Sequence, residues 1–242
     1  MNKLLGEASV LMRPPGAGIF TLSAGRNPLN IQRKIYQKSK DADLSRAWEK
    51  SYDHLDRARA VIIGVPSDSG GGIRRGAAHG PFAIRDTLLR QPQYHKWLNE
   101  FEVIDLGDIA VNPHFLEDSM LNERTIAAAQ NAMYGDSPIR HTLPVAPLTQ
   151  FEFVLRKLWS AHPKVHVFAI GGDHSVAWPM SKVLIERYGK SLGILQIDAH
   201  TDLLDSRLGV EICFGSWSYH ANELLGRSGR MVQVGIRQTL QK

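Results

Sequence analysis

Residues 192–202 read LGILQIDAHTD, an apolar run that ends in polar residues spaced two apart. In an extended chain, positions two apart point to the same side, about 6.6 Å from each other. Asp198 and His200 then project together, and Asp202 joins them if the extension persists, while Ile197 and Ala199 face into packing. Two carboxylates and an imidazole converging at a strand end suit a divalent cation, and a carboxylate can also bridge two ions. Taken alone, the spacing also fits a capped turn with a surface histidine.

Four further runs share this pattern: AVIIGVP (60–66), FEVIDLGD (101–108), KVHVFAIGGD (164–173) and MVQVGIR (231–237). Near-continuous apolar runs closed by Gly, Asp or Pro are expected for strands buried on both faces of a parallel sheet. Helical stretches separate them: PFAIRDTLLR, ERTIAAAQNAMY, LTQFEFVLRKLWSAH and VAWPMSKVLIERYG. Strands alternating with helices predict an α/β chain with a mainly parallel sheet. HTLPVAPLTQ predicts a loop entering a helix, with Thr149 a candidate N-cap. In such sheets, ligands sit beyond the carboxyl ends of the strands. That directs attention to Pro66-Ser67-Asp68, Asp108, Asp173-His174 and Asp198 to Asp202. In the FAIGGDHS stretch, two glycines permit a tight turn and close backbone approach before His174. An oxygen-rich site with one or two imidazoles favours Mn²⁺ over the softer zinc sites.

Composition narrows the field. The chain has 242 residues, 43% hydrophobic and 22% charged, with a formal net charge of +5. Its basic residues, such as Arg33, Lys34, Lys38, Lys40, Arg74 and Arg75, are scattered rather than blocked, so no nucleic-acid partner is expected. The lone Cys213 cannot close an internal disulfide, which fits a reducing compartment. No apolar run approaches the roughly 20 residues of a spanning helix. The start, MNKLLGEASVLMRPPG, is too interrupted for a secretory signal. The expectation is a cytoplasmic protein without a membrane partner. No G-x-G-x-x-G or P-loop follows a strand, which weakens a nucleotide-binding reading. Residues 1–58 read as an N-terminal arm, with a helix through DADLSRAWEKSYDHLDRA, ahead of an α/β domain over 59–242.

GGDHS and DAHTD together resemble the arginase/agmatinase (ureohydrolase) family. GVPSDSGGGIRRGAAHGPFAIR (64–85), VIDLGDI (103–109) and VQVGIR (232–237) resemble further blocks of it. The resemblance implies an arginase-like three-layer α-β-α fold. It implies His174, Asp198, His200 and Asp202 as metal ligands, with two Mn²⁺ ions in the complete site. His174, Asp198 and Asp202 would hold the first ion, Asp198 would bridge, and His200 would serve the second. The implied reaction hydrolyses a small guanidino compound to urea and an amine, agmatinase-like first and arginase-like second. A homo-oligomer, trimer or hexamer, is also implied.

The sequence departs from the family in two places. The later family strand, roughly Ser-x-Asp-x-Asp-x-x-Asp-Pro, does not occur between Asp202 and Lys242. The expectation is therefore an incomplete ureohydrolase with its last strands missing, a weak second ion site and exposed apolar sheet surface. In EICFGSWSYHANELLG (211–226), Phe214 stands where relatives carry a proton-shuttling histidine. His220 is the candidate substitute, set against its reading as an exposed helix histidine. A formimidoylglutamase-type hydrolase and a non-catalytic ureohydrolase-like fragment or subunit are the alternatives. No substrate-binding residue is assigned. Asp68 with Gly70-Gly71-Gly72 is read as a turn or a pocket wall, and Cys213 as a small buried residue.

Overall fold

Ala60–Val65 (β2) is buried along its whole length, as an unbroken Val/Ile run flanked on both sides requires. The computed structural model describes residues 3–20 and 26–237; residues 1–2, 21–25 and 238–242 of the sequence reading lie outside it. The chain forms two compact units, residues 1–69 with 76–172, and residues 70–75 with 173–242.

The first unit runs α1 (Lys3–Val10), β1 (Met12–Arg13), α2 (Arg26–Tyr36), α3 (Asp41–Ser51), β2, α4 (Gly80–Leu88), α5 (Tyr94–Glu100), β3 (Val103–Ile109), α6 (Glu123–Tyr134), α7 (Pro147–Ala161) and β4 (His166–Gly171). Its sheet has the order β1-β3-β2-β4. β2 lies parallel to both neighbours, with Ala60 opposite Val103 on one side and His166 on the other. The N-terminal stretch contributes to this sheet, because β1 pairs antiparallel with β3, Met12 opposite Ile109. Leu11, Met12, Ile31 and Leu44 are buried with the strand residues Val61, Ile63 and Val65. Each such side chain withdrawn from water stabilises by about 1.5–3 kcal/mol. Helices α3, α5 and α7 pack on β3, and α4 packs on β4.

Asp108, singled out at a strand end, is part of the core. Arg85 on α4 donates from Nε and Nη2 to both Asp105 oxygens, at 2.7 and 2.8 Å, and from Nη1 to Asp108 Oδ1. The other Asp108 oxygen accepts the Gly16 N–H at 2.8 Å. Burial alone would lower the Arg85 pKa, but Asp105 and Asp108 reverse that and hold it well above its usual value. Thr149 is not the N-cap. Helix α7 opens at Pro147, where proline's missing N–H costs nothing. The Asp118 carboxylate accepts the Ala146 N–H at 2.7 Å, and the Thr149 hydroxyl oxygen accepts the Asp118 N–H.

The second unit contains α8 (Ala177–Tyr188), β5 (Ile194–Ile197), α9 (Trp217–Leu224) and β6 (Met231–Val234). β5 and β6 pair in parallel, Gln196 opposite Gln233. Ile194 and Met231 on one face pack against Ile185, Trp217, Ala221 and Leu225. On the opposite face Leu195, Ile197, Val232 and Val234 remain 63%, 79%, 53% and 49% exposed. Within their own unit the runs LGILQID and MVQVGIR are thus covered on one side only. No helix among the described residues is long and apolar enough to cross a membrane.

Candidate metal centre

Three of the four ligand candidates meet within the second unit. Ligand atoms of His174, Asp198 and Asp202 all lie within 4.8 Å of one another, the group of this kind found among the described residues. His174 Nδ1 is 3.0 Å from Asp198 Oδ2 and 2.8 Å from Asp202 Oδ2. Neighbouring ligand atoms of an octahedral ion, each about 2.1 Å from it, lie about 3 Å apart. The donor set therefore fits a hard divalent cation in both chemistry and spacing.

His174 is delivered by the turn that follows β4. The Asp173 side chain accepts the Ser175 N–H at 2.8 Å, capping the short helical turn that carries the histidine. Just before it, Gly172 donates its N–H to Val65 O at 3.0 Å. A Cβ there would sit 1.9 Å from Ser67 O, so only glycine permits this approach. The Trp217 ring lies beside the His174 ring, centroids 4.8 Å apart.

The two aspartates do not converge by strand alternation. β5 ends at Ile197, and Asp202 takes a left-handed backbone with φ of 50°. That turn, which asparagine and aspartate tolerate better than most residues, swings Asp202 back beside Asp198. Asp202 is buried, whereas His200 is exposed. Asp198 faces two ways. Its Oδ2 points to His174, while its Oδ1 accepts the His200 N–H at 2.9 Å and lies 3.6 Å from His200 Nδ1. Burial would raise the Asp198 pKa. Hydrogen bonds from His200 N–H and Gln196, with the charge of His174, outweigh burial and hold it below the usual carboxylate range.

Residues absent from the sequence reading complete the surroundings. The buried Gln196 donates to Asp198 Oδ2 at 3.2 Å and Trp217 Nε1 donates to Asp202 Oδ2 at 3.1 Å. The available signal was a glutamine interrupting each of two apolar runs, 192–198 and 231–236. Phe214 packs at the 70–72 loop, its N–H donating to Gly70 O at 2.9 Å, with the Arg207 guanidinium 5.0 Å from its ring centre. His220 Nε2 lies 2.9 Å from Asp205 O and 3.2 Å from Glu211 O, bracing that loop. Asp68 Oδ2 accepts the Gly76 N–H at 2.7 Å, closing a turn. Cys213 is buried.

The mainly parallel α/β architecture is shared with known proteins. The chain belongs to the arginase family, whose profile, described as the Arginase family, matches residues 58–242. It is 30% identical over 184 residues to the mitochondrial agmatinase of Gallus gallus, covering 74% of this chain and 45% of that one. It is 32% identical to the mitochondrial guanidino acid hydrolase of Homo sapiens, covering 74% and 44%. Among solved structures, proclavaminate amidino hydrolase from Streptomyces clavuligerus superimposes with a TM-score of 0.51 at 26% identity, covering 76% of this chain and 53% of that chain. The arginase of Medicago truncatula, at 18% identity and a TM-score of 0.53, covers 88% and 62% and shares the three-layer α/β fold. The chain spans about half the length of the curated relatives it matches.

Proposed function

We propose that the chain carries the metal-binding region of a manganese-dependent hydrolase of small guanidino compounds, releasing urea and an amine. One observation carries this reading: His174 Nδ1 and one oxygen each of Asp198 and Asp202 gather at spacings suited to a single hard cation. A divalent ion held there supplies the Lewis acidity that lets water act as a nucleophile near neutral pH. His174, Asp198 and Asp202 would hold that ion, and the second oxygen of Asp198 faces His200. The Gln196 and Trp217 N–H groups fix the carboxylate orientations. His220, with its Nε2 against two loop carbonyls, is better suited to holding the 205–211 loop than to moving protons. The names of several relatives, agmatinase, guanidinobutyrase and arginase, support a guanidino substrate, agmatine first and arginine second. A cytoplasmic homo-oligomer belongs to the same proposal.

A second reading, a family member that binds one ion without turnover, is favoured by the ligand inventory. Among the described residues only one group of three metal-binding side chains occurs. A second ion would draw on Asp198 Oδ1 and His200 among the described residues, and two ligands hold an ion weakly.

Counting Mn²⁺ on the purified chain and following urea release from agmatine, arginine and 4-guanidinobutyrate tests both readings. The expected result is one tightly held ion that Asp198→Ala abolishes. Turnover on a guanidino substrate selects the first reading, and tight single-ion binding without turnover selects the second. Mn²⁺ binding that survives Asp198→Ala overturns both.

A further inference from the structure

The carboxylates of the metal centre are held by a chain of neutral donors that starts one strand away. Gln196 and Gln233 stand opposite each other across β5 and β6. Gln233 Nε2 donates to Gln196 Oε1 at 2.7 Å and to Thr201 O at 2.6 Å. Gln196 Nε2 in turn faces Asp198 Oδ2 at 3.2 Å, His200 O at 3.3 Å and Asp202 Oδ2 at 3.5 Å. Ser218 Oγ closes the far end, donating to Gln196 Oε1 at 3.0 Å and lying 3.1 Å from Gln233 Nε2.

The direction of this chain is fixed by chemistry. Ionised carboxylates and backbone carbonyls only accept, so the Gln196 amino group must face them. Its carbonyl then faces Gln233 and Ser218, both able to donate. Gln196 is 4% exposed, and its amide oxygen and nitrogen are both satisfied inside the protein. Trp217 Nε1 makes a parallel contact to Asp202 Oδ2, and the Tyr219 N–H donates to Asp202 O at 3.2 Å. These contacts hold Asp202 in a backbone conformation that a non-glycine residue seldom adopts.

From this geometry we infer that Gln233, acting through Gln196, and Trp217 are positioning residues that set the cation affinity of the His174, Asp198 and Asp202 cluster. The inference rests on the metal reading of that cluster. Two carboxylate oxygens crowding one histidine nitrogen repel each other unless donors share their charge. A lysine or arginine in this place would supply a fixed positive charge and compete with the cation. Amide and indole N–H groups orient the same oxygens and leave the net negative charge for the ion. Outer hydrogen-bond partners of this kind typically alter metal affinity about 10–100-fold.

The test uses the full chain and Mn²⁺ alone, with affinity read by calorimetric titration and folding by near-ultraviolet circular dichroism. Gln196→Met, Gln233→Met and Trp217→Phe each keep most of the packed volume while removing the donors. Each is expected to fold and to weaken Mn²⁺ binding about 10-fold or more. Because Gln233 works through Gln196, the double Gln196→Met/Gln233→Met variant should lose little beyond Gln196→Met alone. A merely structural glutamine pair would lower the melting temperature and leave Mn²⁺ affinity unchanged, which overturns the inference, as does full additivity of the two losses. Should a single methionine variant fail to fold, Trp217→Phe and Gln233→Asn carry the affinity measurement. Asp198→Ala is the separate control. If it binds Mn²⁺ like the parent, the metal reading fails; if it alone loses binding, the metal reading stands and the relay fails.

Discussion

Three tyrosines surround the buried Arg85 cluster, and their chemistry makes the first unit sensitive to alkali. Burial raises the Tyr94 phenol first, and the negative Asp105 adds to it against the opposing Arg85, up to about 12. Tyr36 and Tyr52 are raised too, again by burial first and then by Asp105. The native state keeps these phenols protonated, whereas the unfolded chain ionises them near 10.0. The stability they contribute is complete below pH 10 and is lost as pH rises through the folded value. Urea denaturation from below pH 10 up to pH 12 should show a fall of up to about 1.4 kcal/mol per pH unit per phenol. Tyr94 Oη has no hydrogen-bond partner among the described residues. Tyr94→Phe should therefore cost less than about 1 kcal/mol at neutral pH while reducing the alkaline slope. An unchanged slope would exclude Tyr94 as a source of it. The same scale shows what the sequence disclosed of the site. Residue type and position after apolar runs singled out His174, Asp198 and Asp202. The left-handed turn at Asp202, and the donors Gln196, Gln233 and Trp217, depend on contacts between segments that spacing alone does not reveal.

Secondary elements were legible where a long pattern repeats. The five apolar runs all became strands, and ERTIAAAQNAMY became α6 with Asn122 capping through the Thr125 N–H. β1 was not legible, because two residues carry no period and its antiparallel partner lies far along the chain. The N-cap reading of Thr149 failed because Pro147 and the distant Asp118 already satisfy the start of α7. Glycines were legible as punctuation, but only the fold separates tolerant from intolerant ones. A Cβ at Gly172 would lie 1.9 Å from Ser67 O and 2.6 Å from Ser67 C, so backbone must move. A Cβ at Gly6 in α1 meets nothing within 4 Å. Gly172→Ala should destabilise by about 2–4 kcal/mol or prevent folding. Gly6→Ala should be neutral or stabilising by up to about 1 kcal/mol. Paired melting curves check this, and equal effects at the two sites would mean that the β4 end is not the tight approach described.

At the scale of the molecule, the decisive feature is the asymmetry of the β5–β6 pair. Successive strand residues alternate between faces, so Ile194 and Met231 enter the α8–α9 core while Leu195, Ile197, Val232 and Val234 line up on the other side. An apolar sheet face open to water invites association with other apolar surfaces. The +5 net charge opposes close approach between copies, and salt weakens that opposition. The isolated chain should therefore bind a hydrophobic dye and self-associate more as salt is raised. Ile197→Thr with Val234→Thr preserves strand propensity while removing apolar surface from this face. If the face is bare in solution, the pair of changes reduces dye binding and association and costs less than about 0.5 kcal/mol per site. If it is covered, each change removes buried apolar surface and costs on the order of 1–3 kcal/mol. Denaturation at several protein concentrations, read beside sedimentation velocity, separates the cases. A concentration-independent loss of that larger size would mean that the chain covers this face itself, and the one-sided packing of β5 and β6 would have to be given up.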